Sequence, residues 1–153
     1  MKLEQTTILL AEDETNDVFF MQRCFERARL LNPLQVVNDG VQAMAYLKGE
    51  GEYADREKFP FPILMLLDLR MPRKSGFEVL EWRATQPGLK RLPTVVLTSS
   101  KEGPDINRAY DLGANSYLVK PPQPDSLAEM FQRLKSYWVA LNVPPDCVAK
   151  AND

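Results

Sequence analysis

The sequence of 153 residues contains no histidine. Because histidine is a common general base, metal ligand and phosphoryl carrier, its absence removes these roles from the whole sequence. Ser-His-Asp hydrolases, Cys-His proteases and His-ligated zinc sites are therefore excluded. The two cysteines, Cys24 and Cys147, are too far apart in sequence for a metal-binding pair of the CxxC kind, and we expect no disulfide between them.

The sequence also lacks a strong net charge and a long hydrophobic run. Lys and Arg total 19 and Asp and Glu total 21, which leaves a net charge of −2. The sequence therefore lacks the net positive charge that attracts nucleic acid or anionic membranes. The longest apolar run, residues 63–67, is far shorter than the roughly 20 residues of a membrane-spanning helix. Glu4 and Glu12 interrupt the N-terminal segment before a signal peptide forms. We expect a cytoplasmic protein that binds neither nucleic acid nor membrane.

Strand-length apolar runs alternate with segments of helical period, in a composition that is 44% hydrophobic and 26% charged. This alternation is typical of βαβ units, and the length fits one domain. It predicts an α/β fold with five helices and a five-stranded, doubly wound parallel sheet. The predicted strands are residues 7–11, 34–37, 63–67, 94–97 and 117–119.

The helix boundaries follow from capping residues and breakers. Pro33 closes the first helix, and Ser75 with Glu78 forms a capping box at the start of the third. The fourth helix runs from about Asp105 to Leu112, and an apolar pattern predicts the fifth over residues 127–141. Residues 49–61 are rich in charge and have no period, so we interpret them as a loop.

Polar residues follow the predicted strands at the end where ligands bind in doubly wound sheets. Glu12 and Asp13 follow the first strand and Asp68 the third, while Thr98 and Lys120 follow the fourth and fifth. Because the carboxyl ends of parallel strands meet at one edge of a sheet, we expect these side chains to form one pocket.

The charges of this pocket indicate a metal ion. Three carboxylates and one ammonium leave an excess of −2, and like carboxylates disfavour each other's ionisation unless a cation intervenes. A hard divalent cation such as Mg²⁺ suits these oxygen ligands. The arrangement predicts phosphoryl transfer to a carboxylate, with Asp68 as the nucleophile, Lys120 neutralising phosphoryl oxygens and Thr98 donating a hydrogen bond.

Four motifs resemble the receiver domain of two-component response regulators: ILLAEDE, LMLLDLRMPRKSG, VLTSS and YLVKPP. The resemblance extends from about Thr7 to Leu141. It implies a flavodoxin-like sheet with strand order 2-1-3-4-5. It also implies that Asp68 is the phosphoacceptor and that Mg²⁺ is bound by Asp13, Asp68 and the backbone carbonyl of Arg70, with Glu12 helping through water.

The same resemblance assigns roles to the other residues of the pocket. Lys120 binds the phosphoryl group and precedes a cis peptide bond to proline, while Thr98 and Tyr117 form the coupled switch. Arg70 and Ser100 tune dephosphorylation. In the resting state we expect Arg70 to pair with Glu12.

The function implied is that of a response regulator with no enzymatic activity beyond Mg²⁺-assisted self-phosphorylation and self-dephosphorylation. The phosphoryl group comes from a phosphohistidine on a histidine kinase or phosphotransfer protein. Residues 1–141 form the receiver domain and residues 142–153 a tail without an output domain, as in small stand-alone regulators paired with bacterial phytochromes. Many relatives dimerise through the face built from the fourth helix, fifth strand and fifth helix, which here carries Tyr110 and Tyr117.

Five of the candidate residues also have a purely structural interpretation. Glu12 and Asp13 would cap the first helix, where acids are favoured electrostatically. Lys120 would be a surface lysine, Thr98 an ordinary strand end and Tyr117 a half-buried strand aromatic.

Other classes of protein fit less well. The acidic segment after the first strand would repel the phosphate of FMN, Arg70 stands where a haloacid-dehalogenase-type phosphatase needs a second Asp, and no GxxxxGK[ST] loop exists. The main alternative is a receiver fold that binds partners without being phosphorylated.

Overall fold

A parallel β-sheet forms the centre of the computed structural model, which describes residues 7–27 and 34–147. The strands pair in the order β2-β1-β3-β4-β5, and every pair is parallel. This confirms the predicted doubly wound sheet of flavodoxin-like topology. The strands are β1 (Thr7–Ala11), β2 (Leu34–Val37), β3 (Pro62–Leu67), β4 (Thr94–Thr98) and β5 (Ser116–Val119).

Helices cover both faces of this sheet and follow the predicted order. They are α1 (Thr15–Arg27), α2 (Gly40–Lys48), α3 (Gly76–Thr85), α4 (Gly103–Asp111) and α5 (Pro124–Leu134). The fifth helix changes at its end into a π-helical segment, Lys135–Leu141. Helix α4 begins earlier than expected because Pro104 fits the first helical turn. The predicted stop at Pro33 lies outside the described residues.

Two apolar cores lie on opposite faces of the sheet. Alternate residues of each central strand point into different cores, as the period of a β-strand requires. In β3, Met65 and Leu67 belong to the core shared with α2, α3 and α4, whereas Leu64 and Leu66 belong to the core shared with α1 and α5. This burial on both faces explains why the strand is apolar along its length.

The predicted capping box of α3 is present. The backbone N–H of Glu78 donates to Ser75 Oγ at 3.2 Å, and the backbone N–H of Ser75 donates to Glu78 Oε1 at 3.3 Å. At the start of α2, the Gln42 N–H donates to Asp39 Oδ1 at 2.8 Å. These caps fix where both helices begin, and hence the course of the loops before them.

The segment 49–61 is more ordered than its composition indicates. It contains a 3₁₀ turn, Gly51–Tyr53, and its aromatic rings pack on α2. The Tyr53 ring lies 5.1 Å from the rings of both Tyr46 and Phe59, and the Tyr46 hydroxyl donates to the Pro60 carbonyl at 2.8 Å. The expected loop therefore carries a small aromatic cluster that fixes it to the domain. Within the described ranges, no helix combines the length and apolar character needed to cross a membrane.

Candidate functional site

Three carboxylates meet at the carboxyl edge of the sheet. Glu12 and Asp13 follow β1, and Asp68 follows β3. One carboxylate oxygen from each lies within 4.8 Å of the others. Glu12 and Asp68 are buried, whereas Asp13 is exposed at the mouth of the cluster. The parallel pairing of β1 with β3 causes this convergence, because both chains leave the sheet at the same end.

Lys120, directly after β5, reaches into this cluster. Its Nζ donates to Glu12 Oε1 and, at 3.1 Å, to Asp17 Oδ2, and it lies 3.7 Å from Asp68 Oδ2. Asp17, in the first turn of α1, is a partner that the sequence-based interpretation missed. Its position in the first turn of the helix that follows the Glu12–Asp13 pair is the signal that could have identified it.

Burial sets the protonation behaviour of the Glu12–Lys120 pair. Burial raises the pKa of Glu12 to about 7, the charge of Asp68 acts in the same direction, and the hydrogen bond from Lys120 opposes both. Burial alone would lower the pKa of Lys120, but its contacts with Glu12 and Asp68 outweigh this effect and raise it. The lysine therefore remains charged, while the protein without metal holds an excess of negative charge that a cation would relieve.

Thr98 ends β4 beside the acceptor candidate. Its side chain is buried, and its hydroxyl has no hydrogen-bond partner among the residues that the structure describes. A cavity of about 350 Å³ is lined by Asp68, Arg70, Thr98, Ser99 and Ser100. Since buried polar groups are normally paired, the free hydroxyl next to a cavity indicates a place for a ligand oxygen.

Tyr117 and Ser100 connect β5 to the loop after β4. The half-buried Tyr117 donates its hydroxyl hydrogen to the Ser100 carbonyl at 3.0 Å. The Ser100 hydroxyl in turn donates to Asp105 Oδ2 at 2.6 Å. These two bonds tie Ser100, which lines the cavity, to β5 on one side and to α4 on the other.

Arg70 does not pair with Glu12, and this expectation is wrong. Its Nη2 lies 2.8 Å from Asp105 Oδ2, on α4. Glu12 is buried and bound by Lys120, whereas the Arg70 side chain is 69% exposed and extends along the surface. The pKa of Asp105 is lowered, first by the Ser100 hydrogen bond and further by Arg70, although burial opposes both.

The expected cis bond between Lys120 and Pro121 is also wrong. The structure has no cis peptide bond in the part of the chain that it describes. A bond before proline still prefers the trans form by about 0.5–1 kcal/mol, so the trans geometry has a physical basis.

Close backbone packing holds the loop after β3. A Cβ at residue 76 would lie 2.3 Å from the Asp68 carbonyl oxygen, and one at residue 40 would lie 2.2 Å from the Lys74 carbonyl oxygen. Arg73 adopts a positive φ of 65°, and its Nε donates to Asp39 Oδ2 at 2.9 Å. Asp39 and Gly40, at the start of α2, therefore also position the loop that follows β3 and carries Arg70.

Comparisons with known proteins agree with this geometry. The family model of the response regulator receiver domain matches residues 8–132. Response regulator Rcp1 of Synechocystis sp. is 40% identical over 132 residues, which cover 86% of this chain and 88% of Rcp1. The crystal structure of the phosphorylated cyanobacterial phytochrome response regulator RcpA has a TM-score of 0.86 and 36% identity, covering 93% of this chain and 99% of RcpA.

A second similar structure contains a bound metal ion. The Mn²⁺-bound form of Rcp1 has a TM-score of 0.83 and 38% sequence identity, covering 92% of this chain and 99% of that structure. The receiver-domain resemblance and the predicted fold are both confirmed. Because the family model matches residues 8–132 and relatives of 36–40% identity cover 86–93% of the chain, this chain belongs to the response regulator receiver domains of two-component systems.

Proposed function

We propose that this response regulator accepts a phosphoryl group on Asp68 from a phosphohistidine of a partner protein. The observation that carries the proposal is the position of the Asp68 carboxylate, which joins the Glu12 and Asp13 carboxylates within 4.8 Å and faces Lys120 at 3.7 Å. A carboxylate between a cation site and an ammonium is placed to receive a group with several negative oxygens.

The donor atoms of the cluster suit Mg²⁺. They are carboxylate oxygens, which hard divalent cations prefer over softer ligands. Glu12, Asp13, Asp68 and the backbone carbonyl of Arg70 would hold the ion. When bound, it supplies positive charge that offsets the carboxylates and the phosphoryl oxygens. The Mn²⁺-bound form of Rcp1 supports this assignment by similarity.

The transfer requires one new bond and one broken bond. An oxygen of the Asp68 carboxylate attacks phosphorus as the bond from phosphorus to the partner's imidazole nitrogen breaks, and the electron pair of that bond remains on the imidazole. The Lys120 ammonium neutralises charge on the transferred oxygens. The Thr98 hydroxyl, which lacks a partner within the described ranges, donates a hydrogen bond to one of them. Arg70 and Ser100, at the cavity rim, act on the lifetime of the product.

The phosphoryl donor is a histidine kinase or a phosphotransfer protein. The sequence has no histidine of its own, so the phosphohistidine belongs to another chain. RcpA is a cyanobacterial phytochrome response regulator. Another similar structure, with 34% sequence identity and a TM-score of 0.86, is RPA3017, a response regulator in red light signalling of R. palustris. By similarity to these relatives, we propose a phytochrome-type kinase as the donor.

The signal leaves the domain through its surface, and we propose that a second copy binds the face formed by α4, β5 and α5. Tyr110 on α4 is 48% exposed, and Tyr117 lies on the adjoining strand. A groove between β5 and the end of α5 exposes apolar side chains that include Leu118, Met130 and Trp138. Light scattering tests this association: a monomer both with and without a phosphoryl mimic contradicts it.

Intact-mass spectrometry tests the proposed phosphorylation. Incubation of the purified protein with acetyl phosphate and Mg²⁺ should add one phosphoryl group, and chelation of Mg²⁺ should prevent the addition. The Asp68→Asn variant, which keeps the shape of the side chain but loses the nucleophile, should gain none. Equal gain in both proteins contradicts the choice of acceptor, and no gain in either supports the interaction module that works without phosphorylation.

A further inference from the structure

Asp105 belongs to α4 and has no assigned part in phosphorylation, yet it binds two residues of the cavity rim. Its Oδ2 accepts a hydrogen bond from Ser100 Oγ at 2.6 Å and one from Arg70 Nη2 at 2.8 Å. The Asp105 side chain is only 18% exposed, so the serine fixes a carboxylate that is partly screened from water. The structure thus links Arg70, two positions after Asp68, to a carboxylate on α4 that Ser100 holds in place.

Arg70 is the exposed partner of this pair. Its side chain is 69% exposed, and the residue also lines the cavity that Asp68 and Thr98 line. Ion pairs with an exposed arginine are weak, typically about 0–1 kcal/mol. A phosphoryl group carries up to two negative charges and three acceptor oxygens, so it is a stronger partner for a guanidinium than a single carboxylate.

We propose that Asp105 is a positioning residue that holds Arg70 away from Asp68 until a phosphoryl group competes for the guanidinium. Arg70 then leaves Asp105, covers the phosphoryl group and obstructs the water that would hydrolyse it. This inference rests on the proposed phosphorylation of Asp68. It adds Asp105, on α4, as the residue that determines how readily Arg70 reaches the phosphoryl group on Asp68.

A simpler role for Asp105 gives a different expectation. An acid in the first helical turn stabilises the helix through its N–H groups and dipole, and the Ser100 bond would serve the same end. Such a role acts through α4 alone, so its effect is the same whether or not residue 70 is an arginine. Positioning acts through Arg70 and disappears without it. A double-mutant cycle separates the two roles.

The experiment measures the lifetime of the phosphorylated protein for Asp105→Asn in the parent and in an Arg70→Ala background. Asparagine keeps the size of the side chain and its bond from Ser100 but loses the charge that holds Arg70. In the parent background we expect a lifetime longer by about fivefold, the scale of one weak ion pair. In the Arg70→Ala background we expect a change of less than about twofold. Glu81→Gln, which breaks the exposed Arg108–Glu81 pair, is the matched control and should leave the lifetime unchanged.

A second readout does not depend on phosphorylation. In the unphosphorylated protein, the NMR signal of the Arg70 Nε–H, assigned by its loss in Arg70→Ala, should shift in Asp105→Asn and stay in place in Glu81→Gln. An unshifted signal overturns the pairing, even if the protein takes up no phosphoryl group. If the parent is phosphorylated, an unchanged or shorter lifetime in Asp105→Asn, or an equal change in both backgrounds, overturns the positioning role. Failure of the parent to gain mass instead counts against the proposed function.

Discussion

Replacing Lys120 with methionine should strongly destabilise the protein in the absence of divalent metal. The substitution keeps the length of the side chain but removes the ammonium that faces Glu12, Asp17 and Asp68. Glu12 is 1% exposed and the lysine side chain 8%, so water cannot replace the lost ammonium as the partner of Glu12. Removing one member of a buried ion pair costs about 3–5 kcal/mol, a large part of the roughly 5–15 kcal/mol that stabilises a domain.

Urea unfolding at pH 8 with a chelator measures this loss. This pH lies above the pKa of about 7 for Glu12 in the parent, so the Glu12–Lys120 ion pair is formed there. Because Lys120 lowers that pKa, Glu12 takes up a proton more readily in the variant, and this protonation limits the loss. Lys74→Met is the matched control, because Lys74 forms an exposed ion pair with Glu78 at 3.4 Å. Exposed pairs contribute little, so the control should lose much less stability than Lys120→Met.

Mg²⁺ should restore part of the stability of Lys120→Met. A ligand that binds only the folded state stabilises it by about 2.7 kcal/mol at 100 times its Kd. The variant has one positive charge fewer beside the carboxylates and should bind the ion more tightly than the parent. Mg²⁺ at one fixed concentration should therefore stabilise the variant more. A loss no greater than that of Lys74→Met, or equal stabilisation of variant and parent by Mg²⁺, would refute the role given to Lys120.

Three further predictions concern the site and its support. Asp13→Ala should raise the Kd for Mg²⁺ by more than about 100-fold in calorimetric titrations and should stabilise the metal-free protein. The neighbouring control Glu14→Ala should do neither, and an unchanged affinity in Asp13→Ala would remove Asp13 from the site. Gly76→Ala should lower the free energy of unfolding in urea by about 3 kcal/mol, because its Cβ would lie 2.3 Å from the Asp68 carbonyl oxygen. Gly103→Ala, whose Cβ meets nothing within 4 Å, should be tolerated, and equal losses in the two variants would contradict the packing argument. In chelator, the contribution of Glu12 to the free energy of unfolding should be largest below pH 4.5 and be lost as the pH rises from 4.5 to about 7, because the folded state binds the proton more tightly than the unfolded state. The same pH dependence in Glu12→Gln would assign the effect to another group.

The sheet and the convergence of the acids could be predicted because both follow from local patterns. β3 is apolar at consecutive positions and therefore central, and Glu12, Asp13 and Asp68 follow strands that parallel pairing aligns at one edge. Ser75 and Glu78 likewise specify the start of α3 through their own backbone bonds. None of these inferences requires knowledge of a distant side chain.

The side-chain partners could not be predicted from the same patterns. Arg70 is long and exposed, and its choice of Asp105 over Glu12 depends on Lys120 already occupying Glu12 and on Ser100 fixing the alternative acid. The order in segment 49–61 arises from contacts of Tyr53 and Phe59 with α2, which a window of charged residues does not reveal. Such features depend on where several elements meet in space.

Borohydride trapping of the phosphorylated protein tests the central claim most directly. Borohydride reduces an acyl phosphate to an alcohol, so an aspartyl phosphate is converted into homoserine at the residue that carried it. After treatment with acetyl phosphate and Mg²⁺, peptide mapping should find homoserine at position 68, and chelation of Mg²⁺ should abolish it. Trapping at Glu12 or Asp13 instead, or an unmodified Asp68 in protein that has gained a phosphoryl group, would contradict the assignment of Asp68 as the phosphoacceptor.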